Sequence, residues 1–444
     1  MSSEYQTTVE TVSSSLLGEK YYKVRHKSGV TMLLCPMEGF STAYALFGTN
    51  YGSMDVTFKT DQDEDFVTVP AGIAHYLEHK LFENEDCDAF ERYAATGANA
   101  NAYTSFDKTC YLFSCSRNFK ESLEILLDFV TKPYFTDETV RKEQGIIGQE
   151  IRMYDDNPDW QVYFNLLEAM YQENPIRVDI AGTVESIAQI NKELLYRCYH
   201  TFYNLHNMVI SIAGNFEVET ALEVADRILP QSEPVVVEQY IPREPAELEK
   251  LRVETQLEVA VPMFQMGFKL QGCSGTAQDM AQNLRDQLLD EILVEIIAGE
   301  TTPLYRELYD AGLINATFGG EAMCVRSAMA VMFGGESREP DKVFEAIKDR
   351  VRQLKQDGIE PELFNRCKKS AYGRYLSMFS RPEAVASSML LCYFGGEKPY
   401  SLVESLSAIT KEQLERRLAE QYHEEYCGIS IVWPKTDGED IRTK

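Results

Sequence analysis

The sequence predicts an α+β protein made of two homologous α/β domains, each a mostly antiparallel, mixed sheet covered by helices. The chain has 444 residues, which is enough for two domains of about 200 residues each. A stretch rich in Glu and Val and punctuated by prolines covers residues 230–250. Because the order of strand and helix patterns before this stretch recurs after it, we expect domains over 1–229 and 251–444, joined by a linker over 230–250.

The repeat is visible in the residues themselves. Residues 195–212 align without gaps on residues 414–431, and residues 135–143 align on residues 359–367. Two aligned segments in the same order indicate the duplication of one α/β unit.

In the first half, turn residues between apolar runs predict two hairpins, over about 21–35 and 98–115. A further strand is expected over 41–52, and a helix begins near residue 71. The other helices of this half are predicted at 86–95, 119–131, 137–154, 160–172, 184–191, 192–204 and 217–229, with a strand at 208–213.

The second half shows the same two kinds of pattern. Its strands are predicted at 251–261, 264–270, 314–319, 329–334 and 427–433. Its helices are predicted at 277–298, 304–310, 340–356, 361–378, 382–394 and 411–422.

The first-half helix near residue 71 carries the most informative motif of the chain. His75, Glu78 and His79 have the H-x-x-E-H order, and positions i, i+3 and i+4 of a helix lie on one face. Two imidazoles one turn apart can hold a zinc ion, and a carboxylate between them can take a proton from a water on that ion. The same three residues could also be two ordinary surface histidines and a solvated Glu. A third ligand is needed to distinguish a metal site from that interpretation.

A carboxylate on another helix is the best candidate for that ligand. In the predicted helix 137–154, Glu143 and Glu150 are two turns apart and share a face. One of them can ligate the metal while the other supports a ligand or the water.

With these residues the chain resembles the pitrilysin and insulysin family of inverted zinc metallopeptidases, which includes the β subunit of the mitochondrial processing peptidase. The resemblance extends over nearly the whole chain, including the stretches 99–109, 180–183 and 207–216. It implies a pitrilysin-like metallopeptidase fold and one Zn²⁺ per chain.

The resemblance also implies roles for the motif residues. His75, His79 and Glu150 would bind zinc, Glu78 would be the general base in peptide hydrolysis, and Glu143 would be a supporting catalytic residue that orients a ligand. The second half lacks these residues, because Arg374 aligns with Glu150.

A substrate-binding strand is implied as well, at Asn99, Ala100, Asn101 and Ala102. In the resembled family the corresponding strand is an exposed sheet edge to which a peptide adds as an extra strand. Small residues here fit close approach by another backbone, although an ordinary core strand has the same pattern.

One element of the family is missing from this sequence. Active members usually carry an Arg and a Tyr in the second half, but Tyr309 stands where the Arg is expected and Asn315 near where the Tyr is expected. Arg306 lies one turn early. The resemblance therefore implies a heterodimer in which a relative supplies the Arg and the Tyr, with a homodimer as the second possibility.

Composition narrows the possible partners. A net charge of −27 argues against nucleic acid and permits attraction of cationic peptides, although solubility alone also explains it. No apolar run approaches a membrane span, and scattered cysteines without a C-x-x-C pair are typical of reduced, mostly buried thiols. We expect a cytoplasmic protein that acts on short peptides or unfolded segments without contacting a membrane.

Two other functions stay open at this point. The chain could be a non-catalytic peptide-binding or assembly subunit, although relatives of that kind typically lose the metal residues. A zinc amidohydrolase on another fold is the third possibility, and the duplicated architecture argues against it.

Overall fold

A computed structural model describes residues 6–85, 87–271 and 277–435 of the chain. Its strands are β1 Thr8–Ser14, β2 Glu19–Arg25, β3 Thr31–Pro36, β4 Ala43–Thr49, β5 Thr57–Thr60, β6 Val67–Thr68, β7 Asn99–Thr104, β8 Thr109–Cys115, β9 Met208–Gly214, β10 Val237–Gln239, β11 Arg252–Leu257, β12 Met263–Leu270, β13 Gly319–Val325, β14 Ala328–Glu336 and β15 Cys427–Pro434.

The α-helices account for most of the remaining chain. They are α1 Ile73–Phe82, α2 Ala89–Thr96, α3 Phe119–Thr131, α4 Asp137–Asp155, α5 Pro158–Met170, α6 Val184–Ile187, α7 Lys192–Phe202, α8 Val218–Ile228, α9 Ala277–Ala298, α10 Pro303–Asp310, α11 Pro340–Asp357, α12 Pro361–Met378, α13 Pro382–Phe394, α14 Pro399–Ala408 and α15 Lys411–Gln421. Short 3₁₀ turns cover Pro175–Arg177, Leu205–Asn207 and Glu424–Tyr426.

The chain folds into two compact units whose segments interleave along the sequence. Unit 1 contains the described residues up to Gln149, then Asp179–Tyr240 and Tyr375–Ser401. Unit 2 contains Glu150–Val178, Ile241–Arg374 and the described residues from Leu402 onward.

The main sheet of unit 1 has the strand order β1-β2-β3-β9-β4-β8-β7. The β3–β9 pair is parallel, and the other neighbouring pairs are antiparallel. Strands β3 and β9 are buried along almost their whole length, which explains why they appear in the sequence as continuous apolar runs rather than as alternating ones.

The sheet of unit 2 repeats five strands of this arrangement in the order β11-β15-β12-β14-β13. Its β11–β15 pair is parallel and its other pairs are antiparallel, as in β3-β9-β4-β8-β7. The predicted duplication and the α+β class with mostly antiparallel, mixed sheets are therefore confirmed.

Each unit receives one sheet-covering helix from the other half of the chain. Helix α5 packs on β11, β12 and β15 of unit 2, where Val162 contacts Leu257 and Val432. Helix α13 packs on β3, β4 and β9 of unit 1, where Leu390 joins a core that contains Val209. The helix that follows α4 and the helix that follows α12 are thus exchanged between the two copies.

Because of this exchange, the two compact units do not follow the consecutive division into 1–229, 230–250 and 251–444. That division stays a prediction about the two homologous copies. Part of the expected linker also belongs to unit 1, because β10 pairs with β5 in a small three-stranded sheet.

One predicted strand is wrong. Residues 314–318 form no strand, because Asn315 accepts hydrogen bonds from the Thr317 backbone N–H and hydroxyl at 2.9 and 2.6 Å, which holds a turn. The strand begins at Gly319 instead. Among the described residues, no helix is both long and apolar enough to cross a membrane.

Candidate metal centre

Helix α1 places His75, Glu78 and His79 on one face. The helix starts after Gly72, whose φ of 88° lies in the left-handed region. A Cβ at Gly72 would lie 2.3 Å from the carbonyl oxygen of Ala181, so only glycine fits this start. The rings of His75 and His79 are 4.6 Å apart between centroids.

Helix α4 supplies the carboxylates. The Thr136 hydroxyl caps the start of this helix by accepting a hydrogen bond from the Thr139 backbone N–H at 3.2 Å. The Tyr76 hydroxyl of α1 donates to the Val140 carbonyl of α4 and ties the two helices together. Glu143 and Glu150 lie two turns apart on this helix.

The donor atoms of His75, His79 and Glu150 converge. One ligand atom from each lies within 4.8 Å of the other two. Two imidazole nitrogens and one carboxylate oxygen are a donor set that catalytic zinc sites use, with the fourth position left for water or substrate. The residues present therefore fit a zinc ion, and between the alternatives Glu143 and Glu150 the geometry favours Glu150 as the ligand.

Glu143 contacts His79 instead. Nδ1–H of His79 donates to Oε1 of Glu143 at 2.9 Å, which leaves Nε2 of His79 as the donor atom for a metal. Burial raises the pKa of the Glu143 carboxyl, but the hydrogen bond and charge of His79 outweigh it, so the pKa lies below its ordinary value. The ionised carboxylate is the form that holds the imidazole in this orientation.

Two further contacts join the site to residues that sequence reasoning did not single out. The Thr104 hydroxyl donates to Oε2 of Glu78 at 2.6 Å. The Tyr154 hydroxyl donates to Oε1 of Glu150 at 2.7 Å, and the Tyr154 ring stacks on Trp160 with 4.4 Å between centroids. The four-residue spacing of Glu150 and Tyr154 was the sequence signal for the second contact.

The predicted substrate strand is β7, an edge strand. Among the described residues only β8 pairs with it. Ala100 and Ala102 are half-buried, whereas Asn99 and Asn101 are exposed. The Asn101 side-chain oxygen accepts a hydrogen bond from the Ala102 backbone N–H at 2.9 Å.

A cavity of about 560 Å³ lies between α1, β7 and α4 in unit 1. Glu78, His79 and Glu143 line it on one side, and Asn101 and Ala102 line it on another. Space for a ligand is therefore adjacent to both the histidine motif and the edge strand.

Within the part of the second copy that the structure describes, no equivalent donor set is found. Arg374, which aligns with Glu150, donates to Oε1 of Glu295 on α9 at 2.9 Å. Tyr309 is half-exposed and its ring lies 6.0 Å from that of Tyr305. The Asn315 amide donates to Glu336 at 2.6 Å, so this side chain serves its own loop.

Two family models match the chain. The model described as insulinase (peptidase family M16) matches residues 68–184, and the model described as the peptidase M16 inactive domain matches residues 189–371. The first match contains the histidine motif and α4.

Named relatives agree with these matches. The uncharacterized zinc protease YmfH of Bacillus subtilis strain 168 is 36% identical over 432 residues, which is 96% of this chain and 100% of that protein. A probable mitochondrial-processing peptidase subunit beta of Arabidopsis thaliana is 26% identical over 215 residues, or 47% of this chain and 40% of that protein.

Solved structures share the fold. The structure described as an M16-like peptidase from Alicyclobacillus acidocaldarius has a TM-score of 0.87 and 33% identity, and the match covers 98% of this chain and 100% of that one. Pitrilysin has a TM-score of 0.72 at 15% identity, covering 98% of this chain and 47% of that one, which shows a shared fold.

Proposed function

The chain belongs to peptidase family M16, the insulinase family, and on this basis we propose that it is a zinc-dependent endopeptidase that hydrolyses short peptides or unfolded segments. The observation that carries the proposal is the convergence of His75, His79 and Glu150 beside Glu78. Relatives named zinc proteases support the choice of metal.

In this proposal each residue of the site has a defined task. Zinc held by His75, His79 and Glu150 would supply Lewis acidity toward the scissile carbonyl and the attacking water. Glu78 takes the proton of that water and passes it to the leaving amine. Glu143 keeps the His79 ring in place through Nδ1–H.

The substrate backbone pairs with β7. Ser105 N–H donates to the Lys108 carbonyl at 2.8 Å, so the 105–108 pair is hydrogen-bonded across the hairpin. Bonded and non-bonded pairs alternate in an antiparallel ladder. It follows that Ala100, Ala102 and Thr104 turn their backbone groups to the free edge. A peptide strand would compete with the Asn101 side chain for the Ala102 N–H, and main-chain pairing would give little side-chain selectivity.

A partner subunit completes the proposed enzyme. Tyr309 has no positive charge to replace the guanidinium of the family pair, and the Asn315 amide, which would have to replace the phenol, is already bonded to Glu336. The similarity to subunits named mitochondrial-processing peptidase beta favours a heterodimer with a relative that carries the Arg and the Tyr. A homodimer is the second assembly.

A non-catalytic peptide-binding subunit is the second candidate function. In the second copy the residue aligned with Glu150 is Arg374, whose guanidinium is paired with Glu295 and cannot ligate a metal. The first copy keeps its donor set, which favours the peptidase.

The test is hydrolysis of a quenched-fluorescent peptide library by the full chain, alone and mixed with an M16 relative carrying the Arg and the Tyr. Zinc per chain is measured on the same samples. We expect about one zinc per chain, and a loss of hydrolysis of about a hundredfold or more in Glu78→Gln with zinc retained. Glu91→Gln, an exposed change on α2, is the matched control and should behave as wild type.

Three results would change the proposal. Full activity of the chain alone would remove the need for a partner. Full activity of Glu78→Gln would remove Glu78 as the base. Peptide binding without zinc and without hydrolysis, alone and in the mixture, would favour the binding subunit.

A further inference from the structure

The hydroxyl of Thr104 joins the edge strand to the proposed general base. Thr104 is the last residue of β7, and its hydroxyl donates to Oε2 of Glu78 on α1 at 2.6 Å. A hydroxyl has one hydrogen, so in this arrangement Thr104 donates only to Glu78. The Thr109 hydroxyl, on the paired strand, lies 3.5 Å from the Thr104 hydroxyl and donates its own hydrogen to the Tyr51 carbonyl at 2.9 Å.

The position of Thr104 on β7 follows from the register of the hairpin. Thr104 pairs with Thr109, next to the hydrogen-bonded Ser105–Lys108 pair. Side chains two residues apart share one face of a strand, so Ala100, Ala102 and Thr104 face the same way. The strand that turns its outward backbone groups to a peptide thus ends in the side chain that holds Glu78.

We propose that Thr104 is a positioning residue for Glu78, and that a peptide paired along β7 improves this positioning, so that kcat rises with the length of the paired segment. The inference rests on the proposed function. A peptide strand converts the edge strand β7 into an internal strand and restricts its backbone motion. Because Thr104 is part of β7, the restriction extends to its hydroxyl and to the carboxylate that the hydroxyl holds.

The alternative is that the Thr104 hydroxyl only stabilises the fold. Under that alternative, removal of the hydroxyl would lower stability or zinc content without a specific effect on the chemical step. Thr104→Val keeps the shape and strand preference of the residue but removes the donor. Thr104→Ser keeps the donor and removes a methyl group.

The experiment compares two quenched-fluorescent peptides with the same cleavage site. One is long enough to pair with all six residues of β7, and the other pairs with half of them. Wild type, Thr104→Val, Thr104→Ser and the control Thr57→Val are assayed as full chains, with the M16 relative if hydrolysis requires it. Thr57 has a strand hydroxyl 3.0 Å from the Thr68 hydroxyl in the small sheet, which makes it a matched change outside the site.

We expect kcat of wild type to be higher on the long peptide. Thr104→Val should lower kcat on that peptide about tenfold or more with KM changed less than about twofold, since a hydrogen bond to a charged group is lost. Its kcat should no longer depend on peptide length. Thr104→Ser should retain most of the wild-type kcat, and Thr57→Val all of it.

Two readouts without turnover complete the test. Zinc per chain should be equal in all four proteins. In a Glu78→Gln background, which binds without cleaving, the Kd of the long peptide by fluorescence anisotropy should not change when Thr104→Val is added.

The inference is overturned if Thr104→Val hydrolyses both peptides like wild type, if its defect lies in KM, Kd or zinc content, or if Thr104→Ser is as impaired as Thr104→Val. These results leave the proposed peptidase intact. Absence of zinc and of hydrolysis in wild type, even in the mixture, would instead remove the proposed function and this inference with it.

Discussion

The hydroxyl of Tyr154 donates a 2.7 Å hydrogen bond to the carboxylate of Glu150, one turn earlier on α4. Its ring is stacked on Trp160, which lies in the first turn of α5. The Glu150 carboxylate is therefore fixed from outside by a tyrosine that is itself held by its ring.

Removal of the Tyr154 hydroxyl should weaken zinc binding. Tyr154→Phe keeps the stack on Trp160 but removes this hydrogen bond to the Glu150 carboxylate, and loss of such a supporting hydrogen bond typically costs about 10- to 100-fold in metal affinity. Competition with a zinc-sensitive chelating dye measures the change. Tyr163→Phe on α5 is the control, because its hydroxyl contacts the Met323 sulfur rather than Glu150. Equal affinities in Tyr154→Phe and wild type would contradict this role.

Arg417 should be essential for the stability of unit 2. Its guanidinium donates to both carboxylate oxygens of Asp290, at 3.0 and 2.7 Å, and to Asp286 at 3.0 Å. Arg417→Leu leaves the buried Asp290 without its cation, so we expect a loss of about 3–5 kcal/mol in the free energy of unfolding. Urea denaturation measures it.

The double variant Arg417→Leu/Asp290→Leu tests whether the uncompensated charge of Asp290 causes that loss. It removes both charges and should be less destabilised than Arg417→Leu alone, because no uncompensated charge stays buried. A double variant that loses as much as the sum of two independent changes would refute this explanation.

His26 should make stability fall on acidification. Burial lowers the pKa of His26 below its ordinary 6.5, although the Asp226 carboxylate opposes this. The Ser28 backbone N–H donates to Nδ1 of His26, so the neutral ring is the form that fits. Because the folded pKa is the lower one, protonation favours the unfolded chain, and this contribution is present above 6.5 and is lost as pH falls below it.

Thermal unfolding between about pH 7.5 and about pH 5 tests this dependence. The Tm of wild type should fall more steeply over this window than the Tm of His26→Gln. His423→Gln, a change at an exposed histidine, should keep the wild-type slope. Identical slopes in wild type and His26→Gln would show that His26 does not contribute.

Leu390, although it lies late in the sequence, should stabilise the early strands. It is buried in a core with Leu46 of β4 and Val209 of β9. Leu390→Ala removes this packing, and we expect a loss of about 2–5 kcal/mol. Hydrogen exchange should report it as faster exchange in β4 and β9. Faster exchange confined to β12 and β15 would contradict the assignment of α13 to unit 1.

Local sequence patterns predicted what depends on local spacing. Helical periodicity alone was enough to place His75, Glu78 and His79 on one face. The same periodicity placed Glu143 and Glu150, two turns apart, on one face of the predicted helix 137–154. The strand over 314–319 failed because a single side chain, Asn315, holds a turn inside an otherwise strand-like run. Asn residues compete for backbone groups in this way, and a pattern of apolar residues does not register it.

Other features depended on contacts distant in sequence. Thr104 is 26 residues from Glu78, and only the fold brings the two together. The exchange of α5 and α13 was equally hidden, since the apolar face of a helix shows that it is covered but not which sheet covers it.

The exchange of α13 also has a consequence for synthesis of the chain. The strands of unit 1 are complete once Tyr240 has been made, but the helix that covers β3, β4 and β9 ends only at Phe394. At translation rates of about 5–20 residues per second, the ribosome needs roughly 8–30 seconds for the residues between them. During that interval the face of β3, β4 and β9 that α13 later covers is exposed. Chaperone binding to the chain should therefore be greatest before the chain is released from the ribosome rather than after.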